Sequence, residues 1–186
     1  MIITHTREKL LNAIIYFAGN TKYCGKTKLF KLFYFLDFMH FKQTGKPVTG
    51  LDYFAWEMGP VPKKLFEELS GTMKPDMKAT IKELPEEGFQ KIQPTRKFDR
   101  KYFSKKEMAL IKDISFIFKD AKADDMVEST HFKNEPWDIT IKEKGHFQKI
   151  DYMLAIDSDI VSLPYDEARE RMEERMEMGK IFGVCN

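Results

Sequence analysis

The chain lacks the features that mark secreted, disulfide-stabilised and membrane-spanning proteins. Its 186 residues include only two cysteines, Cys24 and Cys185, and no C-x-x-C pair, so neither a disulfide framework nor a cysteine metal site is predicted. The apolar run 32–36 is bounded by Lys31 and Asp37, and the apolar runs of the chain fall far short of the ~20 residues that a membrane helix needs. The sequence does not begin with the basic segment and apolar run of a signal peptide. We therefore expect a cytoplasmic protein that makes no membrane contact.

Motifs for catalysis, metal binding and phosphate binding are lacking as well. The sequence contains no H-E-x-x-H motif and no P-loop, and Cys24 has no neighbouring base. The four histidines have no ligand-like spacing. The 31 basic and 29 acidic residues nearly cancel, so the net charge of +2 predicts no strong overall field for nucleic acid. We therefore predict that the protein is not an enzyme and that it binds neither a cofactor nor a metal ion. A hydrolase that uses His131 as a general base is the enzymatic alternative.

The composition and the hydrophobic periodicity favour one mainly α-helical domain. Hydrophobic residues make up 42% of the chain, and 16 Phe and 7 Tyr can supply a large core for a single domain over 1–186. Helical spacing predicts helices over about 5–18, 26–42, 63–69, 105–119, 123–132 and 164–182. Residues 52–57 are predicted to form a strand, and 59–62 are predicted to break it. Residues 79–84 and 89–93 are predicted to form a hairpin. The predicted class is α+β, mainly α-helical, with a small antiparallel β-sheet.

Three of the predicted helices carry stronger signals. The helix over 26–42 is apolar nearly all round, which predicts a central buried helix. Ser104 and Glu107 form the capping box of the helix that follows them. The last helix, over 164–182, alternates charges around one narrow stripe, so we expect it to lie on the surface of the domain. That stripe consists of Tyr165, Ala168, Met172 and Met176.

Three blocks of sequence resemble a known family when they are taken together. The first runs from Lys28 to Tyr34 as KLFKLFY and continues through Asp37, His40 and the Gly-Lys-Pro at 45–47. The second is FAWEMGPVP at 54–62, and the third is Ser-Thr-His at 129–131 with Pro-Trp at 136–137. In this order they are similar to the Panacea domain, the SocA-like antitoxin domain that also occurs in phage-associated proteins. The resemblance covers roughly 6–152.

The resemblance implies a non-catalytic antitoxin that neutralises a cognate toxin by direct contact. In one form of this mechanism the antitoxin also delivers the toxin to a protease. Trp is common among the dominant residues of interfaces, and unpaired buried charges are costly, so such residues in these blocks are candidates for partner binding. The candidates are Lys31, Asp37, Trp56, Gly59, Pro60, His131, Pro136 and Trp137.

Each of these candidates also has a purely structural interpretation. Trp56 would pack the sheet on the central helix, and Gly59 with Pro60 would only turn the chain. His131 would lock a junction between a helix and a turn through its ring nitrogens. Lys31 and Asp37 would form a thin exposed stripe on an otherwise buried helix. The sequence leaves these interpretations open.

A basic and aromatic stretch over 91–106 supports a second hypothesis, a nucleic-acid-binding regulator. Its cations suit phosphates, and its aromatic rings, at 98, 102 and 103, suit stacking with unpaired bases. The candidate contacts are Lys91, Arg96, Lys97, Arg100 and Lys101. Operator DNA would be the partner in this case, although the same stretch would suit an acidic protein or simply be solvated.

Overall fold

The computed structural model describes residues 5–157 and 162–182. Its helices are α1 (Thr6–Asn20), α2 (Lys26–Thr44), α3 (Lys63–Ser70), α4 (Pro75–Lys78), α5 (Lys105–Ile117), α6 (Ala123–Thr130), α7 (Pro136–Lys144) and α8 (Tyr165–Phe182). Its strands are β1 (Tyr53–Trp56), β2 (Gly59–Pro62), β3 (Ile81–Glu86) and β4 (Phe89–Pro94). The predicted class, mainly helical α+β, is confirmed. None of the helices in the described ranges is long and apolar enough to cross a lipid bilayer.

The second helix, α2, lies at the centre of the fold. It contacts α1, α3, α5, α6, α8 and β2, and a 3-10 turn at Tyr152–Ala155. Because it is apolar on nearly every side, most of its side chains are buried, as the sequence predicts. It ends at Gly45, which adopts a left-handed φ of 69° and donates its N–H to the carbonyl of Phe41. The helix is two residues longer than predicted, because the left-handed residue itself sets its end.

The strands form two separate antiparallel hairpins, β1 with β2 and β3 with β4. The interpretation of 59–62 as a break is wrong, because these residues form β2. Pro60 and Pro62 fit there since they pair with Ala55 and Tyr53, whose backbone groups bond to the 147–150 segment on the other edge of β1. The proline positions therefore require no ladder N–H. The hairpin turns sharply at Gly59, where φ is 93°.

The start of α5 follows its local signal. Ser104 caps α5 and accepts a hydrogen bond from the backbone of Glu107, whose carboxylate accepts one from Ser104 N–H, so the capping box is confirmed. The helix α7 begins at Pro136, a position where the missing N–H of proline costs nothing, and continues for nine residues.

The last helix, α8, lies against the C-terminal end of α2. Ala168 is buried in this contact, and Arg171 donates a hydrogen bond of 2.7 Å to the carbonyl of Thr44. A cation placed there also interacts favourably with the negative end of the helix dipole. Tyr165 and Met176, which were predicted to belong to the contact stripe, are both more than half exposed. Arginine contacts, rather than a continuous apolar stripe, therefore anchor α8.

Candidate functional site

The central helix carries a lysine into the interior beside the first hairpin. Lys31 is 1% exposed, and its Nζ donates a hydrogen bond of 3.0 Å to the carbonyl of Pro60. Among the described residues no carboxylate forms an ion pair with Lys31. Burial without a compensating anion disfavours the ammonium and lowers the pKa of Lys31 to about 7. The alternative of an exposed lysine is therefore wrong.

Gly59 brings three polar side chains to one point. A Cβ at this position would lie 2.8 Å from Lys31 Nζ, 2.7 Å from Thr130 Oγ1 and 3.1 Å from His131 Nε2. Any larger residue would collide with these atoms, and φ of 93° disfavours other residues as well. Since each atom is about 3 Å from the same point, they lie within about 6 Å of one another. The glycine thus permits a close contact of β2, α2 and the end of α6.

His131 and Trp137 cover this point from the outside. Their rings stack with centroids 3.8 Å apart and an interplanar angle of 5°. Trp137 Nε1 donates a hydrogen bond of 2.9 Å to the carbonyl of Trp56, which fastens α7 to β1. His131 Nε2 is buried and has no hydrogen-bond partner in the described part of the chain. Burial, together with the nearby Lys31, lowers the pKa of His131 below its usual value, so the ring is neutral at pH 7.

A second unpaired group, Tyr34, lies one helical turn beyond Lys31. Its side chain is 4% exposed, and its hydroxyl has no hydrogen bond of acceptable geometry within the described residues. The backbone N–H of Trp137 and the carboxylate of Glu135 are close to it, and burial raises the pKa of Tyr34 above its usual range. Sequence reasoning missed Tyr34, although its i+3 spacing from Lys31 was an available signal. Together Lys31, Tyr34, Gly59, Thr130, His131 and Trp137 form what we call the buried polar seam.

Asp37, by contrast, belongs to a separate and fully bonded cluster. It is completely buried, and its carboxylate accepts hydrogen bonds from Thr49 N–H at 2.7 Å, Thr49 Oγ1 at 2.5 Å and Tyr53 Oη at 2.9 Å. The alternative of an exposed stripe is wrong here also. Burial raises the pKa of Asp37, and these donors together with the charge of Arg175 oppose the rise. This cluster ties the loop before β1 to α2.

The structure brings seven of the eight predicted partner-binding residues to one place. Pro60 accepts the hydrogen bond of Lys31, Gly59 adjoins it, and the Trp137 side chain bonds the backbone of Trp56. Pro136 is buried directly before Trp137. Trp56 packs against the core and contacts Phe66 and Phe147, with centroid distances of 4.8 and 6.0 Å.

Three large apolar side chains are exposed around the seam, and we call them the apolar rim. Met58 lies in the β1–β2 turn and is 59% exposed. Phe132 directly follows His131 and is 64% exposed, and Phe147, beside Trp56, is 59% exposed. Each of the three adjoins a residue of the candidate site in sequence or in space. The rim was not predicted, because only Trp56 and Trp137 attracted attention in the sequence.

The basic stretch over 91–106 has a different character. Its aromatic rings pack inward, since Phe98 contacts Tyr16 and Phe103, and Phe103 is buried. Lys97 and Arg100 are exposed, whereas three other cations form ion pairs. The pairs are Lys91 with Glu86, Arg96 with Glu8 and Lys101 with Asp99. What this surface offers is therefore exposed charge more than stacking platforms.

Comparison with known proteins gives one match. The family model described as antitoxin SocA-like, Panacea domain, matches residues 29–138, which is more than half of the chain. No curated protein and no solved structure matches. All residues of the buried polar seam fall inside the matched range. No group of three or more His, Cys, Asp or Glu side chains within the described ranges could hold a metal ion.

Proposed function

This chain belongs to the SocA-like antitoxin family with a Panacea domain, and on that premise we propose that it neutralises a cognate toxin by binding it directly. The proposed contact surface is the apolar rim, with Trp56 and Trp137 behind it. The observation that carries the proposal is the convergence of all three family-like blocks on one seam, directly beneath three exposed apolar side chains. The toxin would bury the rim.

The internal bracing of the turn that carries Phe132 supports this role. Phe132 lies on a turn in which its carbonyl accepts the N–H of Glu135 at 3.2 Å and Asp138 accepts the N–H of Asn134 at 2.7 Å. The stack of His131 on Trp137 closes the base of the same turn. An exposed aromatic residue on a pre-organised turn loses little conformational entropy on binding. Such a residue is suited to serve as an anchor in a partner's pocket.

The nucleic-acid hypothesis has less support from the geometry. Single-stranded nucleic acid needs free rings for stacking, and Phe98 and Phe103 are committed to the core. The exposed cations of 91–106 would leave only phosphate contacts. That hypothesis stays a prediction, and a gel shift with operator DNA and with RNA across a salt series tests it, because phosphate contacts weaken as salt rises. A role in delivering the toxin to a protease is likewise a prediction.

Co-expression with the toxic product of an adjacent gene tests the antitoxin proposal. We expect rescue of growth and a complex that co-purifies. Phe132→Ala should weaken the complex at least tenfold, since loss of an aromatic anchor typically costs about 2 kcal/mol or more. Phe116→Ala is the matched control, because Phe116 is 82% exposed on α5 and lies outside the rim. A soluble chain that fails to rescue growth would refute the function, and equal loss in both variants would refute the surface.

A further inference from the structure

The buried polar seam has more hydrogen-bond donors than the described chain satisfies. Lys31 can donate three hydrogen bonds and has one acceptor, the carbonyl of Pro60. His131 Nε2 and Tyr34 Oη are both buried without partners. A neutral histidine protonated on Nε2 donates there, and a tyrosine hydroxyl donates as well. Buried polar groups are normally paired, so unpaired ones at a single place call for an explanation.

Within the described ranges, no carboxylate forms an ion pair with Lys31. Desolvation is the one cause that sets the lowered pKa of Lys31, with no carboxylate charge contributing. The titratable groups that face the seam are Lys31 and Tyr34 from α2 and His131 from the end of α6, with Glu135 near Tyr34. The hairpin contributes Gly59 and the Pro60 carbonyl, neither of which titrates. Around Lys31, the seam therefore offers donors that outnumber the described acceptors, and no described carboxylate pairs with the lysine.

A short surface segment, residues 131–135, covers the seam. Its hydrogen bonds are local, to Glu128, to Asp138 and within the segment, and within the described ranges none joins it to α2 or β2. Residues 132–135 are exposed. Displacing this cover would break the contacts of His131 but no backbone hydrogen bond to the central helix or the first hairpin. The seam is thus one movable turn away from the surface.

We propose that the buried polar seam receives a carboxylate of the toxin, which Lys31 and His131 bind as donors beneath the displaced 131–135 segment. This inference rests on the proposed antitoxin function. A carboxylate suits the seam because it only accepts hydrogen bonds and carries the negative charge that would pair with the lysine ammonium. Binding would therefore couple to the uptake of a proton by Lys31. The apolar rim would bring the toxin to the seam, and the carboxylate would fix its register.

Isothermal titration calorimetry on the complex tests the inference. The chain is titrated with the adjacent gene's product at pH 8 in buffers of different ionisation enthalpy, which gives the number of protons taken up. We expect close to one proton per complex, because a lysine with a pKa of about 7 is mostly neutral at pH 8 and becomes charged beside the carboxylate. The Lys31→Met variant should lose this uptake and bind at least tenfold more weakly. Lys133→Met, an exposed lysine on the cover, should do neither.

The outcomes separate this inference from the function on which it rests. A complex that forms without proton uptake in the wild-type chain overturns the carboxylate site and leaves the antitoxin function standing. Uptake that persists in Lys31→Met overturns it too, since another group would then be titrating. The absence of any complex refutes the antitoxin function itself. Because the first measurement uses the unmodified chain, a folding defect in the variant cannot hide the answer.

Discussion

Replacing Lys31 with methionine should stabilise the free chain, and by an amount that depends on pH. Burial lowers the pKa of Lys31 from 10.5 to about 7. Between these two pH values the folded state therefore holds mostly the neutral amine, whereas the unfolded state holds the ammonium. At about 1.4 kcal/mol per pKa unit, the cost to folding approaches 5 kcal/mol below pH 7. The cost diminishes as pH rises from the folded pKa toward 10.5, where both states become neutral.

The methionine variant has no titrating group at this position and a similar volume. It loses the hydrogen bond to Pro60, which is worth about 1 kcal/mol, and leaves that carbonyl without its partner. We therefore expect a net stabilisation of about 2–4 kcal/mol at pH 7, from the desolvation cost less the lost bond. Between pH 7 and 9 the difference in free energy of unfolding should narrow by about 2–3 kcal/mol, since the unfolded wild-type chain binds nearly one proton more than the folded chain.

Urea unfolding followed by tryptophan fluorescence at several pH values measures this difference. Trp137 stacks on His131 at the seam and is a suitable reporter. Lys133→Met is the control, because Lys133 is exposed and its replacement should leave the pH dependence unchanged. A stability difference that stays constant from pH 7 to 9 would show that Lys31 is charged in the fold, and the reasoning about the seam would then be wrong.

Three further changes test the contacts around α2. Gly59→Ala should lower the free energy of unfolding, measured by urea unfolding, by about 2–4 kcal/mol, because its Cβ would meet polar atoms at 2.7–2.8 Å in a left-handed backbone. The control Gly88→Ala is also left-handed but has open space around it, so it should cost about 1 kcal/mol in the same assay. Thr49→Val should cost about 1–3 kcal/mol in the same assay, since it removes a hydroxyl donor from the buried carboxylate of α2. Arg171→Met should speed amide exchange along α8 by removing its bond to the last carbonyl of α2, and Arg169→Met, which breaks only a surface pair, should not.

The parts of the fold that the sequence predicts well are those set by local signals. The end of α2 depends on one left-handed glycine, and the start of α5 depends on the Ser104 and Glu107 pair, so neither needs knowledge of distant contacts. The β2 strand could not be predicted in this way. Pro60 and Pro62 are usually strand breakers, and they are tolerated here only because the opposite strand bonds on its other edge to residues about 90 positions later.

The contacts that hold α8 could not be predicted for a related reason. An apolar stripe is visible in the sequence, and a surface helix usually buries such a stripe. Arg171, however, donates a hydrogen bond to the last carbonyl of α2. Gly45 leaves space for the aliphatic part of the Arg171 side chain, which lies 3.0–3.1 Å from where a Cβ at position 45 would be. The interaction of an arginine with the C-terminal end of another helix can determine how a surface helix docks, and the pattern of apolar residues does not predict that interaction.

The sequence could predict which residues belong to the candidate site, but not how they are arranged in space. Seven of the eight candidates meet at the seam because the three blocks fold onto one another, and no spacing rule in the sequence specifies that contact. Tyr34 was missed because a tyrosine inside an apolar helix is normally interpreted as core. Only the structure shows that its hydroxyl is buried and has no hydrogen bond of acceptable geometry among the described residues.

Among the buried charges of α2, Lys31 differs from two others, and this contrast is the strongest reason to assign it a role in binding. Lys28 is fully buried, and its Nζ donates to three backbone carbonyls at 2.6–2.7 Å. Asp37 is fully buried, and its carboxylate accepts from two side chains and one backbone N–H. Both charges are paired by the chain, as stability requires. Lys31 is equally buried on the same helix, but its Nζ has one acceptor in the described part of the chain. Because the fold demonstrably pairs the other two, the unmet donors of Lys31 are better explained by a partner's acceptor than by poor packing.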